Sequence, residues 1–320
     1  MNSDNLLLLI VCIFGALYSI YVIIYEQRSI RSKLVEDAIR ISGYKNHNSR
    51  EENVLKEIEK RKNEGDKKYK LPRMILKSKI KKYKYENMDY YVLNENESTK
   101  KIFYLHGGAY FDQPLFLHFS FCDSLAQKLD CEIIIPIYPK TPFHDYKYAQ
   151  EKVLSLYKNL CDTKDIILMG DSAGGGFCLS LYYLLAKEKF QLPTQTILLS
   201  PWLDVSMSNT DINYIEDLDP QLSVVALKKM GKLWAGKSSL KNPLVSPLYG
   251  DVSVLKNVVL FVGTHELLLP DCHVFRDKCK KNHVKLEYHE YKKMTHVFII
   301  QPIPEAKKAF NELIKIINKK

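Results

Sequence analysis

The residues with the clearest chemical potential form a short glycine-rich turn, residues 170–174 (Gly-Asp-Ser-Ala-Gly). This turn follows the apolar run 165–169 and precedes a small, apolar stretch, an order that predicts a strand, a tight turn and a helix. Ser172 at the apex would have its hydroxyl lifted clear of the backbone, and the flanking glycines let the turn close without a side-chain clash. The segment therefore predicts a nucleophilic serine, with an ordinary glycine turn as the alternative.

A second glycine segment lies upstream, where the predicted strand 103–105 runs into residues 106–110 (His-Gly-Gly-Ala-Tyr). Acyl transfer to a serine requires preorganised N–H donors for the oxyanion that develops in the transition state. We expect the amides of Gly107, Gly108 and Ala173 to supply them, because glycine lets a substrate carbonyl approach the backbone closely. Either segment alone fits an ordinary turn, but the pair, in this order and at two strand ends, indicates acyl transfer.

Four segments together resemble the hormone-sensitive-lipase-like branch of the α/β-hydrolases, which includes the arylacetamide-deacetylase-like carboxylesterases. They are residues 106–110, 170–175 (Gly-Asp-Ser-Ala-Gly-Gly), 200–204 (Ser-Pro-Trp-Leu-Asp) and 246–248 (Ser-Pro-Leu). The resemblance extends from about residue 75 to the C-terminus, and it implies an α/β-hydrolase fold that carries a serine carboxylesterase.

Two segments depart from the pattern of that family. Lys293 stands where the family usually has a glycine before its Met-x-His turn, and residues 138–142 match the family's Tyr-Arg-Leu-Ala-Pro only loosely. Neither departure removes a reacting group, but both make the substrate preference of the family difficult to transfer to this chain.

The acid of a serine hydrolase is expected behind the predicted strand 258–262. In α/β-hydrolases the chain order is serine, acid, histidine, and two carboxylates follow this strand. Glu266 lies close behind the strand end, where the resemblance places the acid. Asp271 follows Pro270 and begins a helical pattern, which is typical of a helix cap or a first-turn charge. We expect Glu266 to be the acid, with Asp271 as the alternative.

The catalytic base is selected from nine histidines by position. His289 lies inside the alternating stretch 284–291 and is predicted to be a surface strand residue. His296 follows that strand in a loop before the last helix, at the edge of the sheet where the serine and the acid also lie. We therefore expect His296 to be the base and His106 to brace the oxyanion loop.

No other chemistry is indicated. The seven cysteines include no C-x-x-C pair, so no disulfide framework is expected. Cys272, His273, Cys279 and His283 lie near one another in sequence, but their spacing matches no zinc pattern. Because a serine, histidine and carboxylate need neither a metal nor a cofactor, we expect none of either.

The elements that must position these groups alternate along the chain. Strands are predicted at about 101–105, 132–137, 165–169, 195–200, 257–262 and 284–289, and helices near 117–129, 145–160, 173–188, 271–282 and 304–318. This alternation predicts an α/β fold with a mainly parallel central sheet and helices on both faces. An antiparallel hairpin is expected at about 75–93, and the stretch 205–245 is expected to insert a helical cap over the serine.

The N-terminus predicts a membrane anchor. Residues 6–25 carry no charge over twenty positions, which is long enough for a helix to span a bilayer. A signal peptide would carry basic residues before this stretch and a small-x-small cleavage site after it, and the sequence has neither. A buried core helix is the alternative.

The positive charge is concentrated next to this apolar stretch. Residues 26–85 hold 19 Lys and Arg against 9 Asp and Glu, a balance of +10 that equals the net charge of the whole chain. Arg28, Arg31 and Lys33 follow the apolar run directly, so the positive-inside rule predicts a cytoplasmic catalytic domain. The related microsomal esterases are lumenal, so the resemblance favours the opposite side. Nucleic-acid binding is not expected, because acidic residues are mixed with the cations in a predicted helix near 49–63.

The sequence thus predicts three segments: an anchor at 1–25, basic juxtamembrane and cap helices at 26–74, and a catalytic domain at 75–320 that includes the cap insertion 205–245. The predicted function is a membrane-anchored serine hydrolase that cleaves small carboxylic esters, short-chain or acetyl esters above all, through an acyl-enzyme. The alternatives are a non-enzymatic receptor for a small apolar ligand on the same fold, and a hydrolase of amides or thioesters.

Overall fold

The structure is a computed structural model that describes residues 3–72, 76–96, 98, 100–161 and 165–319, so the predicted boundary between residues 74 and 75 lies outside the described residues. Its centre is an eight-stranded sheet with the strand order β1-β2-β4-β3-β5-β6-β7-β8. The strands are β1 (Ile80–Tyr85), β2 (Met88–Leu93), β3 (Lys100–Leu105), β4 (Glu132–Pro136), β5 (Asp165–Asp171), β6 (Gln195–Leu199), β7 (Val258–His265) and β8 (Leu286–Thr295).

The helices surround this sheet. They are α1 (Ser3–Ile20), α2 (Ile30–Ile41), α3 (Tyr44–Asn48), α4 (Glu51–Glu64), α5 (Phe116–Leu129), α6 (Tyr146–Leu160), α7 (Ala173–Lys187), α8 (Ile212–Ile215), α9 (Val224–Ala235), α10 (Leu269–Lys281) and α11 (Pro304–Asn318). The strands and helices that the sequence predicts from residue 101 onward correspond to β3 to β8 and to α5, α6, α7, α10 and α11.

The sheet is mainly parallel, as the sequence predicts. β1 and β2 form the antiparallel hairpin and β2 pairs antiparallel with β4, whereas every pair from β4 through β3, β5, β6 and β7 to β8 is parallel. Every residue of β4 and β6 is buried. This burial follows from helices covering both faces, which makes central parallel strands apolar throughout.

Two hydrophobic layers result from the two-residue period of the strands. Phe103 and Leu168 face one side, where α6, α7 and α10 pack, and Ile102 and Ile167 face the other, where α5 and α11 pack. The carboxyl ends of the parallel strands therefore meet at one edge of the sheet, which is the edge that carries ligands in open α/β folds.

Helices from two distant parts of the chain pack together above this edge. The stretch 205–245 contains α8 and α9, and α9 contacts α4. Val54 and Ile58 of α4 belong to the same buried cluster as Leu227 of α9. The hydroxyl of Ser223 also donates to the carbonyl oxygen of Asn48 at 2.9 Å. These contacts are consistent with a joint cap, and the division into three segments stays a prediction.

The N-terminal apolar stretch is helical. α1 continues into the π-helical turn Tyr21–Glu26, and together Asp4–Glu26 has 23 residues with a mean hydropathy of 2.7. At 1.5 Å per residue such a helix is about 34 Å long, which is enough to cross a bilayer. Length and composition of this kind are also found in signal sequences near an N-terminus.

Polar contacts made just after its last turn attach this helix to the rest of the protein. Arg28 forms an ion pair with Glu36 at 2.5 Å and donates to the carbonyl oxygen of Lys293 at 3.0 Å. The backbone N–H and the hydroxyl of Ser29 donate to the carboxylate of Glu305 at 2.6 and 2.8 Å. The helix is therefore joined to the domain by specific hydrogen bonds across more than 260 residues of sequence.

Lys293 explains one departure from the family pattern. Its φ is +58°, in the left-handed region that a glycine adopts without cost and that costs other residues about 1–2 kcal/mol. Its N–H donates a hydrogen bond to Thr264 Oγ1 at 2.7 Å, and its carbonyl oxygen accepts the hydrogen bond from Arg28. The turn keeps its left-handed conformation with a lysine because both sides of the peptide are held.

Candidate active site

Ser172 lies at the sharp turn between β5 and α7. Its backbone has φ +53° and ψ −124°, a conformation that side-chain-bearing residues adopt rarely and at a cost. The turn closes tightly, because a Cβ on Gly174 would lie 1.9 Å from the carbonyl oxygen of Leu105. This strained strand-to-helix turn holds the half-buried Ser172 at the carboxyl edge of the sheet.

The three predicted catalytic side chains meet in one chain of hydrogen bonds. His296 Nε2 is 2.9 Å from Ser172 Oγ, and His296 Nδ1 is 3.1 Å from Glu266 Oε2. The carboxylate of Glu266 can only accept, so the network favours the imidazole tautomer with its proton on Nδ1. In that tautomer Nε2 carries no proton and accepts a hydrogen bond from the serine hydroxyl. This is the arrangement in which a histidine can remove a proton from serine.

Burial and charge act in opposite directions on this pair. Burial alone would lower the pKa of His296, but the hydrogen bond and the charge of Glu266, with the charges of Asp219 and Asp171, raise it above its usual value. Burial raises the pKa of Glu266, and His296 and Ser200 lower it, with a net rise. The site therefore favours a positive imidazole more than water does.

Asp271, the alternative acid, lies elsewhere. It is a buried residue in the first turn of α10, and its Oδ1 accepts a hydrogen bond from Asn209 Nδ2 at 2.9 Å. Burial raises its pKa to about 7. The carboxylate that contacts His296 is that of Glu266, so the geometry favours Glu266 over Asp271 as the acid.

A further carboxylate beside the site was not found from the sequence. Asp219 is fully buried between α8 and α9, and it accepts three backbone N–H groups: Gln221 and Leu222 at 2.7 and 2.8 Å, and Leu267 at 2.8 Å. Leu267 follows Glu266 directly, so Asp219 ties the cap to the segment that carries the acid. No motif indicates this residue, because its partners are amides that any sequence provides.

The amide of Gly107, predicted as an oxyanion donor, has a protein acceptor in this structure. It donates to Asp171 Oδ1 at 3.0 Å, and a backbone N–H has only one proton to donate. By contrast, the amides of Gly108, Ala109 and Ala173 have no acceptor in the described part of the chain. Gly108 and Ala109 both have positive φ, of 112° and 52°, so the loop changes direction here.

Asp171 holds the loop of residues 107–109 against the serine turn. Besides the Gly107 amide, it accepts the Tyr104 hydroxyl at 2.6 Å and His118 Nε2 at 3.2 Å. The Leu115 amide donates to His118 Nδ1, which leaves the N–H at Nε2 to donate to Asp171. These hydrogen bonds offset the effect of burial, so the pKa of Asp171 lies below its usual value. Its position inside residues 170–174 was the only signal in the sequence.

His106 is buried in the oxyanion loop and is not in contact with Ser172. Its Nδ1 lies 2.6 Å from the carbonyl oxygen of Gly107, and its ring stacks on Tyr138 at 4.5 Å. Burial lowers its pKa well below the usual value, so the ring is neutral and Nδ1–H donates to that carbonyl. These contacts fit the bracing role that the sequence predicts.

The two Ser-Pro segments of the family pattern meet under the cap. Asp204, in residues 200–204, accepts the hydroxyls of Tyr249 at 2.9 Å and Ser246 at 3.3 Å. Ser246 begins the segment 246–248, so a buried carboxylate joins the two segments. Asp204 therefore has a structural role, because its carboxylate holds these two segments together.

Among the described residues, no three histidine, cysteine or acidic side chains could hold a metal ion together. The cysteines are free, and six of the seven are buried.

Comparison with known proteins agrees with the fold. Residues 102–300 match the alpha/beta hydrolase fold family. An esterase of Acinetobacter venetianus is 32% identical over 68% of this chain and 74% of its own length. A Mycobacterium tuberculosis protein named as an acetyl-hydrolase is 30% identical over 66% of this chain and 70% of its own length.

Solved structures give the same fold. A Staphylococcus aureus protein described as an esterase superposes with a TM-score of 0.82 at 30% identity, covering 88% of this chain and 99% of that protein. An esterase from the bacterial hormone-sensitive lipase family, 24% identical with a TM-score of 0.71, covers 77% of this chain and 86% of its own and supports the fold alone.

The chain belongs to the α/β-hydrolase fold family, and its motifs resemble those of the hormone-sensitive-lipase-like branch. It is a carboxylesterase-like hydrolase, as the sequence predicts.

Proposed function

We propose that this protein is a membrane-anchored serine hydrolase that cleaves small carboxylic esters, with acetyl and other short acyl groups preferred. The hydrogen-bonded order Ser172, His296, Glu266, with distances of 2.9 and 3.1 Å, carries the proposal. The acyl preference is supported by relatives named as an esterase and an acetyl-hydrolase. An N-terminal helix of spanning length supports the anchor.

In the first half of the reaction, Ser172 Oγ attacks the ester carbonyl carbon while His296 Nε2 takes the hydroxyl proton. The carbonyl oxygen becomes an oxyanion, held by the N–H groups of Gly108, Ala109 and Ala173. The C–O bond to the alcohol then breaks, and the imidazolium gives its proton to the departing alkoxide. An acyl-enzyme and a free alcohol result.

In the second half, a water molecule replaces the alcohol. His296 takes a proton from the water as its oxygen attacks the acyl carbon, and the same amides hold the second oxyanion. The bond to Ser172 Oγ breaks and the imidazolium returns its proton to the serine. Glu266 keeps the imidazole oriented and stabilises its positive form in both halves.

The dependence of activity on pH tests this assignment. The base must be neutral in the free enzyme, and the pKa of His296 lies above its usual value near 6.5. With p-nitrophenyl acetate, kcat/KM is therefore expected to be low at acid pH and to rise with pH. The apparent pKa of this rise should lie above about 6.5, which is the pKa of an unperturbed histidine.

The control for this pH profile is Asp219→Asn, which removes a negative charge that acts on His296. The acid limb of kcat/KM should then move to lower pH, whereas a purely structural loss would lower the rate at every pH. A wild-type enzyme that hydrolyses no acyl ester at any pH would refute the proposed function.

The proposed topology places the catalytic domain on the cytoplasmic side, following Arg28, Arg31 and Lys33. In membrane vesicles of known orientation, protease is expected to remove the catalytic domain only when added to the cytoplasmic face. Loss of the domain from the other face alone would instead support the lumenal side. Recovery of a chain that lacks residues 1–25 would mean that the helix is a cleaved signal.

A further inference from the structure

Only the last part of the N-terminal helix packs against the catalytic domain. The Tyr18 hydroxyl donates to Asp37 of α2 at 2.6 Å, and Val22 and Glu26 are buried. These residues follow one another at intervals of four, so they share one face of the helix. By contrast, residues 6–17 are exposed on all sides.

The length of the free part limits where the bilayer can lie. Residues 6–17 extend about 18 Å at 1.5 Å per residue. The hydrocarbon core of a bilayer is about 30 Å thick. A spanning helix must therefore place residues 18–25 at membrane depth as well, and α2, which contacts Tyr18, must then lie at the membrane surface.

α2 buries two polar residues and exposes three apolar ones, the reverse of the pattern expected on a water-exposed surface, although Val35 packs against the core and Arg31 and Arg40 are exposed. Its buried positions are Ser32 and Glu36, which are 4% and 3% exposed. Leu34, Ala38 and Ile41 lie at intervals of four and three and face outward, with Leu34 53% and Ile41 85% exposed. We call these three residues the α2 stripe. A helix at a water interface normally buries its apolar face and exposes its polar one.

Four of the five charged side chains of α2 are paired within the protein, and the fifth, Arg31, is exposed and forms no ion pair among the described residues. Glu36 pairs with Arg28 at 2.5 Å and with Arg40 at 3.0 Å, and Lys33 pairs with Asp37. Burial alone would raise the pKa of Glu36, but hydrogen bonds from His265 and Arg28 lower it to about 2, so it stays ionised and paired. The paired ions can approach an apolar medium without leaving a bare charge there, and the long side chain of Arg31 can place its guanidinium among the headgroups.

From the contact of Tyr18 with α2 and the outward apolar side chains of α2, we infer that the α2 stripe rests in the boundary between headgroups and acyl chains of the bilayer that the N-terminal helix crosses. The inference rests on the proposed membrane anchor and goes beyond it. The catalytic domain is thereby held against the membrane by two elements, with the cap helices next to the surface. An apolar face of this kind, continuous with a spanning helix, is typical of interfacial helices.

Three tryptophan variants of the full chain test this surface. Ile41→Trp reports on the α2 stripe and Phe14→Trp, in the exposed part of α1, reports on insertion of the anchor. Val274→Trp is the matched control, because Val274 is also exposed but lies on α10. α2 contacts α11, and α10 packs on the opposite face of the sheet from α11. Each protein is reconstituted in phosphatidylcholine vesicles with and without brominated acyl chains.

We expect brominated lipid to quench the added fluorescence of Phe14→Trp and Ile41→Trp but not that of Val274→Trp, with the wild type as the baseline for the buried Trp202 and Trp234. Quenching at residue 14 without quenching at residue 41 overturns the inference and leaves the anchor intact. The fluorescence of Ile41→Trp could instead be shielded from water, escape quenching by brominated lipid and depend on protein concentration. That result overturns the inference, because a second copy of the chain would then cover the α2 stripe. No quenching at residue 14 refutes the anchor itself, and the inference with it.

Discussion

Replacing Ser172 by alanine is expected to lower kcat on short acyl esters by about 10⁶-fold, the loss typical when the nucleophile of a serine hydrolase triad is removed. The mutation removes only the hydroxyl that His296 Nε2 contacts at 2.9 Å. The proposed oxyanion donors and the other side chains of the site remain, so a small residual rate is expected. Covalent labelling by a fluorophosphonate probe should also disappear, because the probe reacts with that oxygen.

The control for this prediction is Ser180→Ala, on the same helix. Ser180 is buried and donates to the carbonyl oxygen of Gly176 at 3.2 Å, so its loss tests whether any hydroxyl removed from α7 disturbs the site. This variant is expected to keep both activity and labelling. If Ser172→Ala instead retains the labelling and turnover of the wild type, Ser172 is not the nucleophile and the mechanism fails.

Replacing Glu266 by glutamine is expected to lower kcat by roughly 10⁴-fold while the protein stays folded, which is the size found when a triad acid becomes an amide. Glu266 Oε2 accepts the proton of His296 Nδ1 at 3.1 Å. Glutamine keeps the shape but removes the charge that stabilises the imidazolium, and its amide nitrogen can force the wrong tautomer. KM should change much less than kcat, because the lost interaction is strongest in the transition state.

Asp271→Asn is the matched control for the acid. Asp271 is equally buried and follows five residues later, but its carboxylate contacts Asn209 and its pKa is raised to about 7. Asparagine resembles the neutral acid, so kcat is expected to stay within about threefold of the wild type, as for substitutions outside a reacting group. A larger kcat loss in Asp271→Asn than in Glu266→Gln would reverse the assignment of the acid.

The features that the sequence itself determines are local in origin. The turn at residues 170–174 and the position of His296 behind β8 could be predicted, because strand periodicity and turn chemistry act over a few residues. The alternation of strands and helices predicts the parallel sheet, since parallel strands need a crossover helix. Parallel connection also brings the ends of β5, β7 and β8 to one edge, which is why the serine, acid and histidine could be expected together.

The tertiary structure alone decides which polar groups become partners. The Gly107 amide was expected to face the substrate, but Asp171, 64 residues later, takes it. Asp219 reaches the Leu267 amide across 48 residues. A backbone amide carries no sequence signature, and its partner depends on which segments pack together, so neither contact could be found from spacing.

α2 shows this difference most clearly, because it exposes apolar side chains and buries polar ones. Its sequence is an ordinary amphipathic pattern, and a pattern alone does not say which face is buried. The buried face is settled by Arg28, which pairs with Glu36, and by His265, which contacts Glu36 from 229 residues away. Because those partners are more favourable to Glu36 than water is, the polar face turns inward and Ile41 is left exposed.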